Sequence, residues 1–156
     1  MDIVVVRVDA LMKLGLPRKQ KGAVAIEFAV VFVIFFAVFY GLVSYSVPLL
    51  MMQSFHQATA EALRQALKVD PNTPNYGTTV QNIANSVVQA QTGWIPAPFN
   101  FTSTDYSSVY NSGVLTVTVN YSTSKLTRVV PQLVLPVIGP VPNLPDNLSV
   151  QSSLQF

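Results

Sequence analysis

With 156 residues, half of them hydrophobic and only a tenth charged, the chain has the length of one domain plus appendages and too few charges for an ordinary water-soluble domain. It contains no cysteine, which excludes disulfides and thiolate chemistry. The formal charge of +2 is unevenly placed: residues 1–22 carry Arg7, Lys13, Arg18, Lys19 and Lys21 against Asp2 and Asp9, whereas the rest of the chain is slightly acidic.

Residues 1–22 read as a basic cytoplasmic leader. The run Ile3–Val6 is too short to span a membrane, and Gly15 and Pro17 oppose a packed element. Arg18, Lys19 and Lys21 stand just before a long apolar stretch, and this positive-inside pattern sets the N-terminus in the cytoplasm. No aromatic residues interleave with these charges, so they do not form a nucleic-acid patch.

Residues 23–52 are expected to form a transmembrane helix. As a helix they reach about 45 Å at ~1.5 Å per residue, and a bilayer core needs only ~20 apolar residues. Glu27 is the anomaly, because a lone carboxylate in such a helix costs about 2–3 kcal/mol. It either snorkels to the cytoplasmic interface, near the positive end of the helix dipole, or meets a specific partner. Pro48 removes one helical hydrogen bond and is expected to bend the helix. The bend is either a curved shaft for packing against copies of the chain or a plain kink at the outer interface.

Beyond the span, residues 53–156 read as an extracytoplasmic domain. An amphipathic helix is predicted over about 53–69, with Phe55, Ala58 or Thr59, Ala62, Leu63, Ala66 and Leu67 on one face. Glu61, Arg64 and Lys68 fall on its polar side. His56, the only histidine, has no cysteine or carboxylate pair beside it and reads as a solvated helix residue. The stretch Asp70–Asn75, with two prolines, ends the helix. A second helix is predicted over about 78–92, starting at a Thr78-x-x-Gln81 capping box and burying Val80, Ile83, Ala84, Val87 and Val88. Gly93 stops it.

Then the period changes to two. Strands are predicted over about 99–104, 114–122 and 148–156, with a turn at Asn111-Ser112-Gly113. Between the last two strands lies an apolar, proline-stiffened loop, residues 131–146, whose prolines at 131, 136, 140, 142 and 145 forbid a central strand. It either folds over the small sheet as a lid or presents a surface to a partner. The fold class is therefore α+β: a long N-terminal helix, a second helix and a short antiparallel sheet.

Catalytic chemistry is not expected. There is one histidine, no cysteine, no glycine-rich phosphate loop and no close acidic pair, and no metal or cofactor site is called. The asparagines of Asn100-Phe-Thr, Asn120-Tyr-Ser and Asn147-Leu-Ser fit the glycosylation sequon, a pattern that arises by chance in a chain this rich in Ser, Thr and Asn.

The basic residues Arg18, Lys19 and Lys21, then Gly22, the short run Ala23–Ile26, Glu27, Phe28 and a long apolar helix together resemble the processing site of a type IV prepilin. The Glu27-Phe28 pair looks most like the TadE-like pseudopilins of tight-adherence (Flp) type IVb pilus systems. The strand 117–121 and the Leu/Pro-rich stretch before the Ser-rich last strand resemble the C-terminal half of that family. The resemblance implies a pilin-like fold in which a sheet packs on the outer half of the helix. It implies cleavage by prepilin peptidase between Gly22 and Ala23, with Glu27 and Phe28 serving assembly or recognition. Glu27 would neutralise the freed amine of Ala23 on a neighbour. The implied location is the bacterial inner membrane, single-pass, with the C-terminal domain in the periplasm and the chain in or at the pilus. Implied partners are prepilin peptidase, other pilin and pseudopilin subunits, inner-membrane assembly proteins and membrane lipid, with no nucleic acid and no small-molecule substrate. The role would be pilus biogenesis, adherence and biofilm formation. The main fibre subunits of such systems are much shorter and commonly carry Tyr after the glutamate, which points to a minor or accessory subunit.

Two other readings stay open. One is an uncleaved signal-anchored envelope protein whose exported β domain binds a partner. The other is a secreted domain released after Ala58-Thr-Ala60, although the apolar stretch is far longer than the ~7–15 residues of a signal peptide.

Overall fold

The computed structural model describes residues 20–135 and 139–155, with side chains from Gly22 onward. Arg18, Lys19, the Lys21 side chain, Pro136 and Phe156 therefore lie outside the described residues. The chain divides into two compact units, one up to Val38 and one from Phe39 onward. Helix α1, Gln20–Ala66, runs through both. Between Ala23 and Val47 it contains neither a proline nor a net run of charge, and its last turns are rich in alanine, the best helix former. Pro48 lies inside the helix and is buried. It leaves the Ser44 carbonyl without its helical donor.

The second unit has one core. From α1 it takes Met51, Phe55, Ala58, Thr59, Ala62, Leu63 and Ala66. The alanines let neighbouring elements approach the helix backbone closely, and Phe55 fills the space they leave. Leu67, expected on this face, is 53% exposed. Helix α2, Tyr76–Thr92, adds Val80, Ala84 and Val88 at the i, i+4, i+8 spacing of a single stripe.

Strands β1 (Tyr106–Asn111), β2 (Val114–Ser122) and β5 (Asn147–Gln155) form an antiparallel sheet in the order β1-β2-β5. In the central strand Leu115, Val117, Val119 and Tyr121 point into the core, while Thr116 and Thr118 are only partly covered. Val119 sits opposite Tyr106 on one side and Val150 on the other. The β1–β2 hairpin turns at Ser112 and Gly113, both at positive φ (50° and 80°), the conformation whose twist matches the strands. Thr59 on α1 and Ser152 on β5 share a hydroxyl hydrogen bond of 2.9 Å.

The α+β class read from the sequence is the one found, but several local expectations are corrected. The predicted strand at 99–104 is not a strand. Residues 97–99 and 103–105 are single turns of 3-10 helix, and the strand that pairs with β2 begins at Tyr106. The reason is Asp105, which is buried and accepts from the Thr102 amide at 2.8 Å and from Lys125 Nζ at 2.7 and 2.8 Å. Lys125 also donates to the Asn100 carbonyl at 3.2 Å. This network, with Tyr121 donating to the Phe99 carbonyl at 2.8 Å, curls the segment where an extended chain could not reach its partners.

The Thr78 capping box does not start α2. The helix begins two residues earlier, after Asn75 at φ 56°, and the Thr79 amide bonds the Asn75 carbonyl at 3.0 Å. Tyr76 is drawn into the first turn by an edge-on contact with Tyr110, ring centroids 5.6 Å apart. A short helix α3, Thr123–Thr127, follows β2. The proline-rich stretch, read as strandless, contains β3 (Leu133–Leu135) and β4 (Gly139–Val141), paired as a two-stranded sheet. Every strand of such a sheet is an edge, so Pro140 is tolerated opposite Val134. Its flanks are anchored on α1: the Tyr40 hydroxyl donates to the Pro131 carbonyl, and the Tyr45 hydroxyl accepts from the Asn143 amide at 2.8 Å.

Candidate functional site

The residues singled out in sequence sit at the start of α1. Gly22, Ala23, Glu27 and Phe28 are all helical and exposed, and every residue from Gly22 to Phe36 is exposed. A Cβ built on Gly22 would meet nothing within 4 Å. Packing therefore does not demand glycine there, although glycine costs a helix about 1 kcal/mol relative to alanine. Ala23 and Glu27 stand at i and i+4, neighbours on one face one turn apart.

Past Glu27 the helix offers two apolar surfaces and no charge as far as Met52. Phe28, Phe32 and Phe36 form a ladder of stacked rings, with centroids 6.1 and 6.4 Å apart. Ile26, Val30 and Val33 line a shallow apolar groove with Ala29 and Ile34. The 3.6-residue period sets that groove about a third of a turn round the helix from the ring ladder. The most apolar 18-residue window has a mean hydropathy of 2.6, and none of it is buried. An exposed apolar surface of this length has no stable place in water and fits a lipid bilayer.

The aromatic ladder was not read from the sequence, though its i, i+4, i+8 phenylalanine spacing is there to be seen. Nor were the anchors Tyr40 and Tyr45, whose signal is the arrival of hydroxyl-bearing rings as the apolar run ends. The structure shows the basic residues Arg18, Lys19 and Lys21 in no described side-chain arrangement, so their role stays a sequence expectation. His56 is exposed on α1. Among the described residues no group of His, Cys, Asp or Glu could hold a metal ion.

What this segment can do is insert, pack and be recognised; it presents no nucleophile or acid–base pair. The family model described as TadE-like protein matches residues 22–64, most of α1. No curated protein and no solved structure gives a significant match to the chain. Over its long N-terminal helix, from Gly22 to Arg64, the chain is similar to the TadE-like proteins.

Proposed function

We propose that the chain is a pseudopilin or minor pilin that is cut by prepilin peptidase between Gly22 and Ala23. The helix from Ala23 then anchors the mature subunit in the bacterial inner membrane, N-terminus on the cytoplasmic side and the second unit in the periplasm. From there it joins or primes a pilus that serves adherence and biofilm growth, in contact with other pilin subunits and the inner-membrane assembly proteins. One observation carries this reading: an apolar helix exposed at every residue from Gly22 to Phe36, with Glu27 as the sole charge between Gly22 and Met52.

Glu27 has a role in that frame. A carboxylate in lipid is retained when it meets an opposite charge. Cleavage creates such a charge, the free amine of Ala23, and a neighbouring copy can bring it to Glu27. Gly22 fits a cut site because nothing packs on it and a small residue at the membrane surface leaves the backbone open to a protease.

Intact mass and N-terminal sequencing of the protein isolated from its host decide the cleavage. A chain beginning at Ala23 is expected. One beginning at Met1 would establish the uncleaved anchor instead, and one beginning at Glu61 a secreted domain. Glu27→Gln should leave the protein inserted and cut but poorly assembled, and normal fibres from that variant would remove the ion-pair role.

A further inference from the structure

We propose that the cleft between α1 and α2 around Trp94 is a binding site for a neutral oligosaccharide. The inference goes beyond the pilus role and does not depend on cleavage at Gly22.

The cleft lies within the second unit and has a volume of about 470 Å³, inside the ~300–1,000 Å³ usual for small-molecule sites. One wall is a stripe of α1 at helical spacing, Leu50, Gln53, Ser54 and Gln57. The other is Gln91, in the last turn of α2, and Trp94 just beyond it. The Trp94 indole N–H donates to the Ser54 hydroxyl at 2.8 Å, which fixes the ring, yet the residue stays 51% exposed. An aromatic plate already locked in place costs little ordering when a ligand lies on it. Gln53, Gln57 and Gln91 are exposed, and none of their amides has a hydrogen-bond partner among the described residues.

That combination selects a ligand class. A sugar ring has C–H faces that lie on an aromatic plate and a rim of hydroxyls that both donate and accept. A carboxamide also does both. Among the described residues no charged side chain lines the cleft. The C-terminal end of α2 brings the negative pole of a helix dipole to Gln91, which disfavours an anion. A single ring is no aromatic cage for a cation. A purely apolar partner would strip water from three amides and return no hydrogen bond. A second cleft, of about 290 Å³, repeats this chemistry: Thr92, Thr102, Ser103 and Tyr106 line it, again without charge. Both clefts take residues from the same stretch, 89–95.

Trp94 is the only tryptophan in the chain, so its emission reports this cleft alone. The full chain in phosphatidylcholine nanodiscs, free of glycoside detergents, is titrated with chitotetraose, cellotetraose and maltotetraose, and with the anionic tetragalacturonate. Expected is a saturating change of emission with at least one neutral sugar and a weaker response to the anionic one. Gln53→Ala and Gln57→Ala should each weaken binding about two- to tenfold and leave the thermal midpoint unchanged, because neither amide has an internal partner. No saturating change with any neutral sugar overturns the proposal, as does an equal or stronger response to tetragalacturonate, or binding that neither glutamine variant affects. Quenching of Trp94 by brominated lipid without sugar means that the bilayer covers the cleft. An emission change on going from one chain per disc to two means that a second copy covers it. Either result overturns the site.

Discussion

Glu61 is held by its own helix: Arg64 donates to it at 2.7 and 2.9 Å and the Gln65 amide adds a third bond. The Arg64 hydrogen bonds, followed by that of Gln65, pull its carboxyl down to about 2. A depressed carboxyl contributes stability above its ordinary value of 4.5 and loses it as pH falls towards 2. Carbon-detected NMR of Glu61 should show its midpoint near 2, and Arg64→Ala should return it to the ordinary carboxylate range. Tyr121 moves the other way. Burial, with the Asp105 charge adding to it, pushes its hydroxyl up to about 12. A raised acid stabilises fully below the unfolded value of 10, and that contribution is lost as pH rises from 10 to 12. Thermal melts of the full chain in detergent should fall across that window, and Tyr121→Phe, which cannot ionise, should flatten the fall. Neither shift was visible in the sequence. For Tyr121 the cause is burial in the core and the charge of Asp105, sixteen positions away, which no local pattern announces.

At the level of elements, the contact of α2 with β1 depends on one close approach. A Cβ on Gly77 would lie 2.8 Å from Cδ1 of Tyr110, inside the distance real side chains keep. Gly77→Ala gains about 1 kcal/mol of helix propensity but forces Tyr110 off its edge-on contact with Tyr76, an overpacking cost of about 1–3 kcal/mol. A net loss in chemical denaturation is expected, and Gly77→Ala/Tyr110→Ala should be less than additive. The elements show where sequence patterns hold. The alternation of Leu115, Val117, Val119 and Tyr121 was legible because β2 is half-buried along its whole length. The stripe of α2 was legible for the same reason. The start of α2 was not: the Thr78 box is locally sound, but the Tyr76–Tyr110 contact extends the helix by two residues. The curl at 97–105 was missed because Phe99 and Phe101 have strand spacing while Asp105 and Lys125, distant in sequence, dictate turns.

For the whole molecule, the question is which solvent the first half of α1 meets. Arginine in place of both Ile34 and Phe35 should add about 5–7 kcal/mol to insertion. Alkaline carbonate extraction should then release the variant from membranes that retain the parent chain. The sequence by itself determined the apolar run, the lone Glu27 within it, the placement of the basic residues before Gly22 and the α+β class. These are properties of consecutive residues, where period and charge suffice. Only the tertiary structure decided that the proline-rich stretch makes a two-stranded sheet tied to Tyr40 and Tyr45, and that Asp105, Lys125 and Tyr121 lock the 97–105 turns. Those choices depend on which distant donors and acceptors meet, and a buried polar group takes the backbone conformation that satisfies it whatever its neighbours in sequence prefer.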